Sequence, residues 1–92
     1  MKKLTDLLEK IQYKCVQGTL DKEITSVVSD SRKAEEGSLF ICIKGAVSDG
    51  HRYAGDVVKR GADVLVVQDL VEVPENVTVI QVEDSRYAMA YI

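Results

Sequence analysis

The chain is short of the residues that bind metals and nucleic acids. It has two cysteines, Cys15 and Cys42, and one histidine, His51, in 92 residues, with no spacing that would gather them as zinc ligands. The cysteines form no Cys-x-x-Cys pair, so nothing asks for a disulfide, and Cys42 stands in an apolar run where cysteine serves as a small hydrophobe. Basic residues number 12 against 15 acidic ones, a net charge of −3, and they form no stripe, which argues against a nucleic-acid surface. Long apolar runs are missing too: Leu39–Ile43 and Val64–Val67 fall far short of the roughly 20 residues a membrane span needs. The N-terminus, Met-Lys-Lys-Leu-Thr-Asp, turns acidic before any continuous apolar stretch, so no secretory leader is expected and the chain reads as cytoplasmic. There is no Gly-x-x-x-x-Gly-Lys-[Ser/Thr] loop for nucleotide hydrolysis. Nor is there a Gly-x-Ser-x-Gly elbow to make a catalytic triad of Ser31, Asp49 and His51.

What is present is one globular domain, residues 1–92, without repeats or low-complexity segments. A hydrophobic share of 46% and a charged share of 29% suit a folded chain. At this length folding buries somewhat over ~60% of the unfolded surface, enough for one modest core.

Leu4, Leu7, Leu8 and Ile11 recur at helical spacing, which predicts a short amphipathic helix capped by Thr5. Residues 13–16 alternate and fit a brief edge strand, and Ile24–Val28 reads as a second strand ending at Ser29-Asp30-Ser31-Arg32. Leu39-Phe40-Ile41-Cys42-Ile43 is apolar without alternation, as in a parallel strand covered on both faces. A helix is expected from about Arg52 to Arg60, with Asp49 as its cap and Gly61 at C′, before a further apolar strand, Val64–Val67. Strand, helix and strand across 39–67 form a right-handed βαβ unit. A last strand, Val77–Val82, leads to a helix capped by Asp84 or Ser85 that is still apolar at Ile92, so a longer parent protein is expected. The fold class is α/β: a small mixed, partly parallel sheet with a βαβ unit and flanking helices.

In such sheets ligands collect beyond the carboxyl ends of the strands. If the strand before Ser29 lies parallel beside Leu39–Ile43, then Ser29–Arg32 and the Gly45–Gly50 loop share a rim, where unpaired helix-start amides would favour an anion. Each residue also has a plainer role: Asp49 as a cap, Ser31 as a turn residue, Asp30 and Arg32 as an ion pair, His51 as a surface or capping residue.

The ordered set Asp30-Ser31-Arg32, Gly37-Ser38-Leu39-Phe40, Lys44-Gly45, Asp49-Gly50-His51 and Gly61-Ala62 resembles the N-terminal domain of the Mur ligases, over nearly the whole chain. Within that family it looks like the branch that adds the third residue of the peptidoglycan stem peptide. The branch that adds D-Ala-D-Ala tends to carry Thr-Asp-Thr-Arg where this chain has Ser-Asp-Ser-Arg. The resemblance implies a three-domain, ATP-dependent acid–amino-acid ligase whose N-terminal domain holds the UDP portion of UDP-N-acetylmuramoyl-L-alanyl-D-glutamate. ATP and Mg²⁺ belong to a central domain and the incoming amino acid to a C-terminal one, so these 92 residues alone are expected to be inactive and to bind no cofactor. It carries substrate contacts over to Ser29, Ser31, Ala46, Val47 and Ser48, with Asp30, Arg32, Asp49, Gly50 and His51 beside them; Arg32 either meets phosphate or braces the loop. The expected partners are the UDP-N-acetylmuramoyl-dipeptide and the protein's own central domain, with no nucleic acid and no membrane. The alternative outside the family is a non-catalytic α/β interaction domain.

Overall fold

The computed structural model describes residues 2–45 and 49–92. In chain order the elements are β1 (Lys2–Lys3), α1 (Leu4–Leu7), β2 (Lys14–Gln17), β3 (Glu23–Ile24), β4 (Ser26–Val28), β5 (Ser38–Ile41), α2 (Ala54–Lys59), β6 (Val64–Val67), β7 (Thr78–Gln81) and α3 (Ser85–Tyr91). Single 3-10 turns stand at Ser31–Lys33 and Gly50–Tyr53. The five-stranded sheet has the order β2-β7-β6-β5-β4. Neighbours from β4 to β7 are parallel, and β2 joins the edge antiparallel to β7.

The unbroken apolar runs are explained by two cores, one on each face. Leu39, Ile41, Val64, Val66 and Ile80 point to one side, where Leu4, Leu7, Leu8 and Ile11 and the Ala88 of α3 cover them. Phe40, Cys42, Leu65, Val67 and Val79 point to the other, under Ala54 and Val57 of α2. Period-two alternation within an all-apolar strand thus serves two helical layers. β5, α2 and β6 form the expected strand–helix–strand unit with β5 and β6 adjacent. The helix ends as read: Gly61 takes φ +107, and its Cβ-less carbon packs against Glu36, where a Cβ would come within 2.7 Å of backbone.

Three expectations need correction. The first helix is a single turn, Leu4–Leu7, and its cap is Lys3 in extended conformation, without a side-chain bond, not Thr5. Lys3 is already committed to β1, which pairs with β3, and the Leu4 N–H is taken by the Lys22 carbonyl, so the helix starts directly from a strand. The segment 24–28 is two strands: Ile24 pairs with Lys2, and Ser26 with Ser38 of the main sheet. Thr25 makes the change of sheet, its N–H donating to Gly37 O and its hydroxyl to Glu36 O. The helix expected from Arg52 begins as a 3-10 turn and becomes α-helical only at Ala54.

Cys42 is fully buried, and burial first, with the nearby Asp49 charge adding to it, raises its thiol to about 12. Cys42→Ser is expected to lower the unfolding free energy by about 1–3 kcal/mol, since it buries a hydroxyl in an apolar site, whereas the same change at exposed Cys15 costs less. Urea titration of both variants checks this, and equal midpoints for wild type and Cys42→Ser would contradict it.

Candidate functional site

Because β4, β5, β6 and β7 run parallel, their carboxyl ends lie along one edge. Ser29–Arg32 leaves β4 and Cys42–Gly45 leaves β5, its immediate neighbour, with Asp49 bridged back to Lys44. The sheet therefore brings the two stretches marked in the sequence to a common rim, which continues through Gln68–Asp69 after β6 and Val82–Asp84 after β7.

At the β4 exit, Asp30 caps the 3-10 turn by accepting the Arg32 N–H at 3.0 Å, and the Arg32 guanidinium forks onto the same carboxylate at 3.1 and 2.9 Å. Arg32 thus braces the loop, against Asp30. The half-buried Ser31 begins the turn, and its hydroxyl takes no part in this ring of bonds. Ser29 is exposed. Arg60, at the end of α2, reaches the Arg32 carbonyl at 3.3 Å and ties this turn to the helix.

At the β5 exit, an antiparallel bridge between Lys44 and Asp49 closes the base of a turn, and the Gly50 N–H donates to Ile43 O at 2.8 Å. Gly50 lies so close to the strand end that a Cβ would sit 2.8 Å from Ile43 N. Asp49 is the expected cap, accepting the His51 N–H at 3.0 Å. The candidate contacts Ala46, Val47 and Ser48 lie outside the described residues.

The expectation of unpaired helix-start amides is corrected here. The amides of Gly50, His51 and Arg52 donate to Ile43 O, the Asp49 carboxylate and Asp49 O respectively, so an anion finds no free N–H among them. The device recurs at α3, where Asp84 accepts from Arg86 and Tyr87. The rim carboxylates are also locally matched: Asp30 to Arg32, Asp49 to His51, and Asp69 to Lys44 at 2.6 Å.

Bonds from Arg32, side chain first and backbone second, lower the Asp30 carboxyl from 3.8 to about 2. Because the folded value lies below the unfolded one, the fork is complete above pH 3.8 and is lost as pH falls through about 2. Carbon-13 titration of Asp30 is expected to give that low value in the wild type and a higher one in Arg32→Ala, still below 3.8 because the backbone N–H of residue 32 goes on donating to the carboxylate. The same value in both would rule out the fork as its cause.

Asp49, His51 and Asp69 place ligand atoms within 4.8 Å of one another. Both His51 nitrogens are already used, Nδ1 with Asp49 Oδ1 and Nε2 as acceptor of the Gln68 and Asp69 N–H groups, so the cluster works as a hydrogen-bond clamp. Gln68 and Asp69 were not marked by sequence reasoning; two polar residues directly after a fully apolar strand were the available signal. Beyond them a groove of about 1070 Å³ follows the exits of β6 and β7, lined by Tyr13, Gln81, Glu83 and Tyr87 among others.

The chain is a three-layer α/β domain with polar, capped loops gathered at the carboxyl edge of a parallel sheet, the edge where ligands of such sheets collect. Residues 23–92 match the family described as "Mur ligase family, catalytic domain". The chain belongs to the Mur ligase family. It is 40% identical over 87 residues to UDP-N-acetylmuramoyl-L-alanyl-D-glutamate–2,6-diaminopimelate ligase of Clostridium perfringens, covering 95% of this chain and 18% of that one. It is 42% identical over 80 residues to UDP-N-acetylmuramoyl-L-alanyl-D-glutamate–L-lysine ligase of Staphylococcus haemolyticus, covering 87% of this chain and 16% of that one. The fold matches the crystal structure of MurF from Acinetobacter baumannii with a TM-score of 0.87 and 25% identity, over 98% of this chain and 20% of that one. The chain thus spans under a fifth of the length of the relatives quoted from Clostridium and Staphylococcus.

Proposed function

We propose that this chain is the N-terminal, nucleotide-sugar-binding domain of a cytoplasmic, ATP-dependent ligase that adds the third residue of the peptidoglycan stem peptide. It holds the UDP portion of UDP-N-acetylmuramoyl-L-alanyl-D-glutamate. The observation that carries this reading is the common rim: Ser29–Arg32, and Lys44–Gly45 with Asp49–His51, stand at the ends of adjacent parallel strands on the same edge, in a chain about 40% identical to ligases named for that substrate. Ser31 donates its hydroxyl to a diphosphate oxygen, Ser29 and the segment 46–48 line the nucleotide, and Gly50 lets the turn approach it closely. ATP and Mg²⁺ do not fit this rim. The connection from β5 to α2 has no Gly-Lys-Thr loop to cradle a triphosphate and its metal ion. Their site belongs to a central domain, and choice of the third amino acid to a C-terminal one, in keeping with relatives named for both diaminopimelate and L-lysine. The branch that adds D-Ala-D-Ala shares the fold, but the quoted MurF structure is only 25% identical.

Ser31→Ala in the full-length enzyme tests the assignment. The expected result is weaker binding of the UDP substrate by roughly 1.5–3 kcal/mol, the range for a hydrogen bond to a charged group, with the Michaelis constant for ATP unchanged. Stability should change little, because Asp30 and Arg32 hold the turn. A lowered melting temperature with both Michaelis constants unchanged would make Ser31 a turn residue only.

A further inference from the structure

His51 is set to do something other than touch a ligand. Its side chain is 8% exposed, and both ring nitrogens face inward partners. Nε2 accepts the backbone N–H groups of Gln68 at 2.9 Å and Asp69 at 3.1 Å. An Nε2 that accepts two bonds carries no hydrogen, so the ring hydrogen sits on Nδ1 and is donated to Asp49 Oδ1. The imidazole therefore joins the base of the β5 turn to the exit of β6. Gln68 extends the connection: its carbonyl accepts from the Gln81 side-chain amide at 3.1 Å, and its side-chain oxygen accepts the Ser85 N–H at 2.8 Å. One chain of hydrogen bonds runs from Asp49 to the exit of β7 and the start of α3.

The cap itself does not need the imidazole. The His51 N–H to Asp49, the Gly50 N–H to Ile43 O and the Arg52 N–H to Asp49 O are backbone donors that any side chain at position 51 retains. What only the ring supplies is the bond across to Gln68 and Asp69.

We propose that His51 is a positioning residue, whose Nε2 fixes where Asp49 and Gly50 stand relative to the β6 exit and so sets the geometry of the nucleotide-sugar rim without contacting the ligand. This rests on the reading of the rim as the UDP-substrate site.

Two conservative variants of the full-length enzyme separate the two sides of the ring. In His51→Asn the side-chain amide reaches only the Nδ1 position, beside Asp49. In His51→Gln the side-chain oxygen reaches the Nε2 position, facing Gln68 and Asp69. Loss of the two backbone bonds in His51→Asn is expected to raise the Michaelis constant for the UDP substrate about tenfold, with that for ATP unchanged and His51→Gln within about threefold of wild type. The amide resonances of Gln68 and Asp69 should move in His51→Asn and largely return in His51→Gln. A role in stability alone would impair both variants alike and shift both Michaelis constants together; that result overturns the proposal, as does wild-type behaviour of His51→Asn. A wild-type enzyme whose rate does not saturate with the UDP substrate overturns the function reading, and this proposal with it.

Discussion

Phe40→Ala is expected to lower the unfolding free energy by about 3–5 kcal/mol, the largest stability loss of any single truncation discussed for this domain. Phe40 is the only phenylalanine and is fully buried at the centre of β5, flanked in register by Val28 of β4 and Leu65 of β6. It fills the layer under α2 with Ala34, Ala54, Val57 and Val79. Small neighbours such as the two alanines cannot expand into the space it leaves, so the cavity term stays high. Val27→Ala, on the 40% exposed outer side of β4, serves as the comparison and should cost under about 1 kcal/mol. Urea unfolding followed by circular dichroism measures both, and a loss for Phe40→Ala no larger than for Val27→Ala would refute the packing described.

Gly50→Val should have the largest effect on binding. Its φ is not positive, so the difficulty is space and not conformation. A Cβ there meets Ile43 N at 2.8 Å and Cys42 Cα at 3.2 Å, and neither backbone atom can swing aside. Relief has to come from the turn, which would lose the Gly50 N–H bond to Ile43 O and move off the end of β5. The expected cost is about 1–3 kcal/mol in stability, as for other overpacked sites, with a rise of roughly 100-fold in the Michaelis constant for the UDP substrate. Gly55→Ala is the control: it lies in α2 with nothing within 4 Å of the added carbon, and should leave binding unchanged while holding or slightly raising stability. Binding retained in Gly50→Val would separate this turn from the ligand.

Much of this arrangement is legible in the residues because its causes are local. Runs without alternation identified strands buried on both faces, and two helical layers do cover them. Asp49 and Gly61 announced the start and end of the crossover helix, since a carboxylate two residues before an amide and a glycine at positive φ are short-range solutions. The residues leave the parallel placement of β4 beside β5 as a condition; the pairing of Val27 with Leu39 meets it, and with it the shared rim. What escaped reading is set by partners distant in sequence. Lys2 and Lys3 look like a solvated terminus, yet they pair with Ile24 and Glu23 and thereby shorten α1. Lys22 reads as a turn residue, yet its ammonium bonds to Asp63 O and Asn76 O and sits close to the Asp63 carboxylate, clasping the starts of β6 and β7. The tie from His51 to Gln68 and Asp69 uses backbone N–H donors, which every residue offers and no side-chain pattern marks.

The edge strand β2 has a consequence for how the chain is made. Its only partner in the sheet is β7, with Cys15 opposite Ile80. On the ribosome, at ~5–20 residues per second, Lys14–Gln17 waits on the order of several seconds for that partner to be synthesised. Joining the two then closes a loop of roughly 60 residues, at an entropic cost of about 3–4 kcal/mol before any contact repays it. The parallel strands from β4 to β6 can meanwhile assemble around Phe40 and α2, each beside a nearer neighbour. Lys14–Gln17 therefore stays unpaired until β7 is made, and a nascent chain halted before Thr78 would display it without a strand to join.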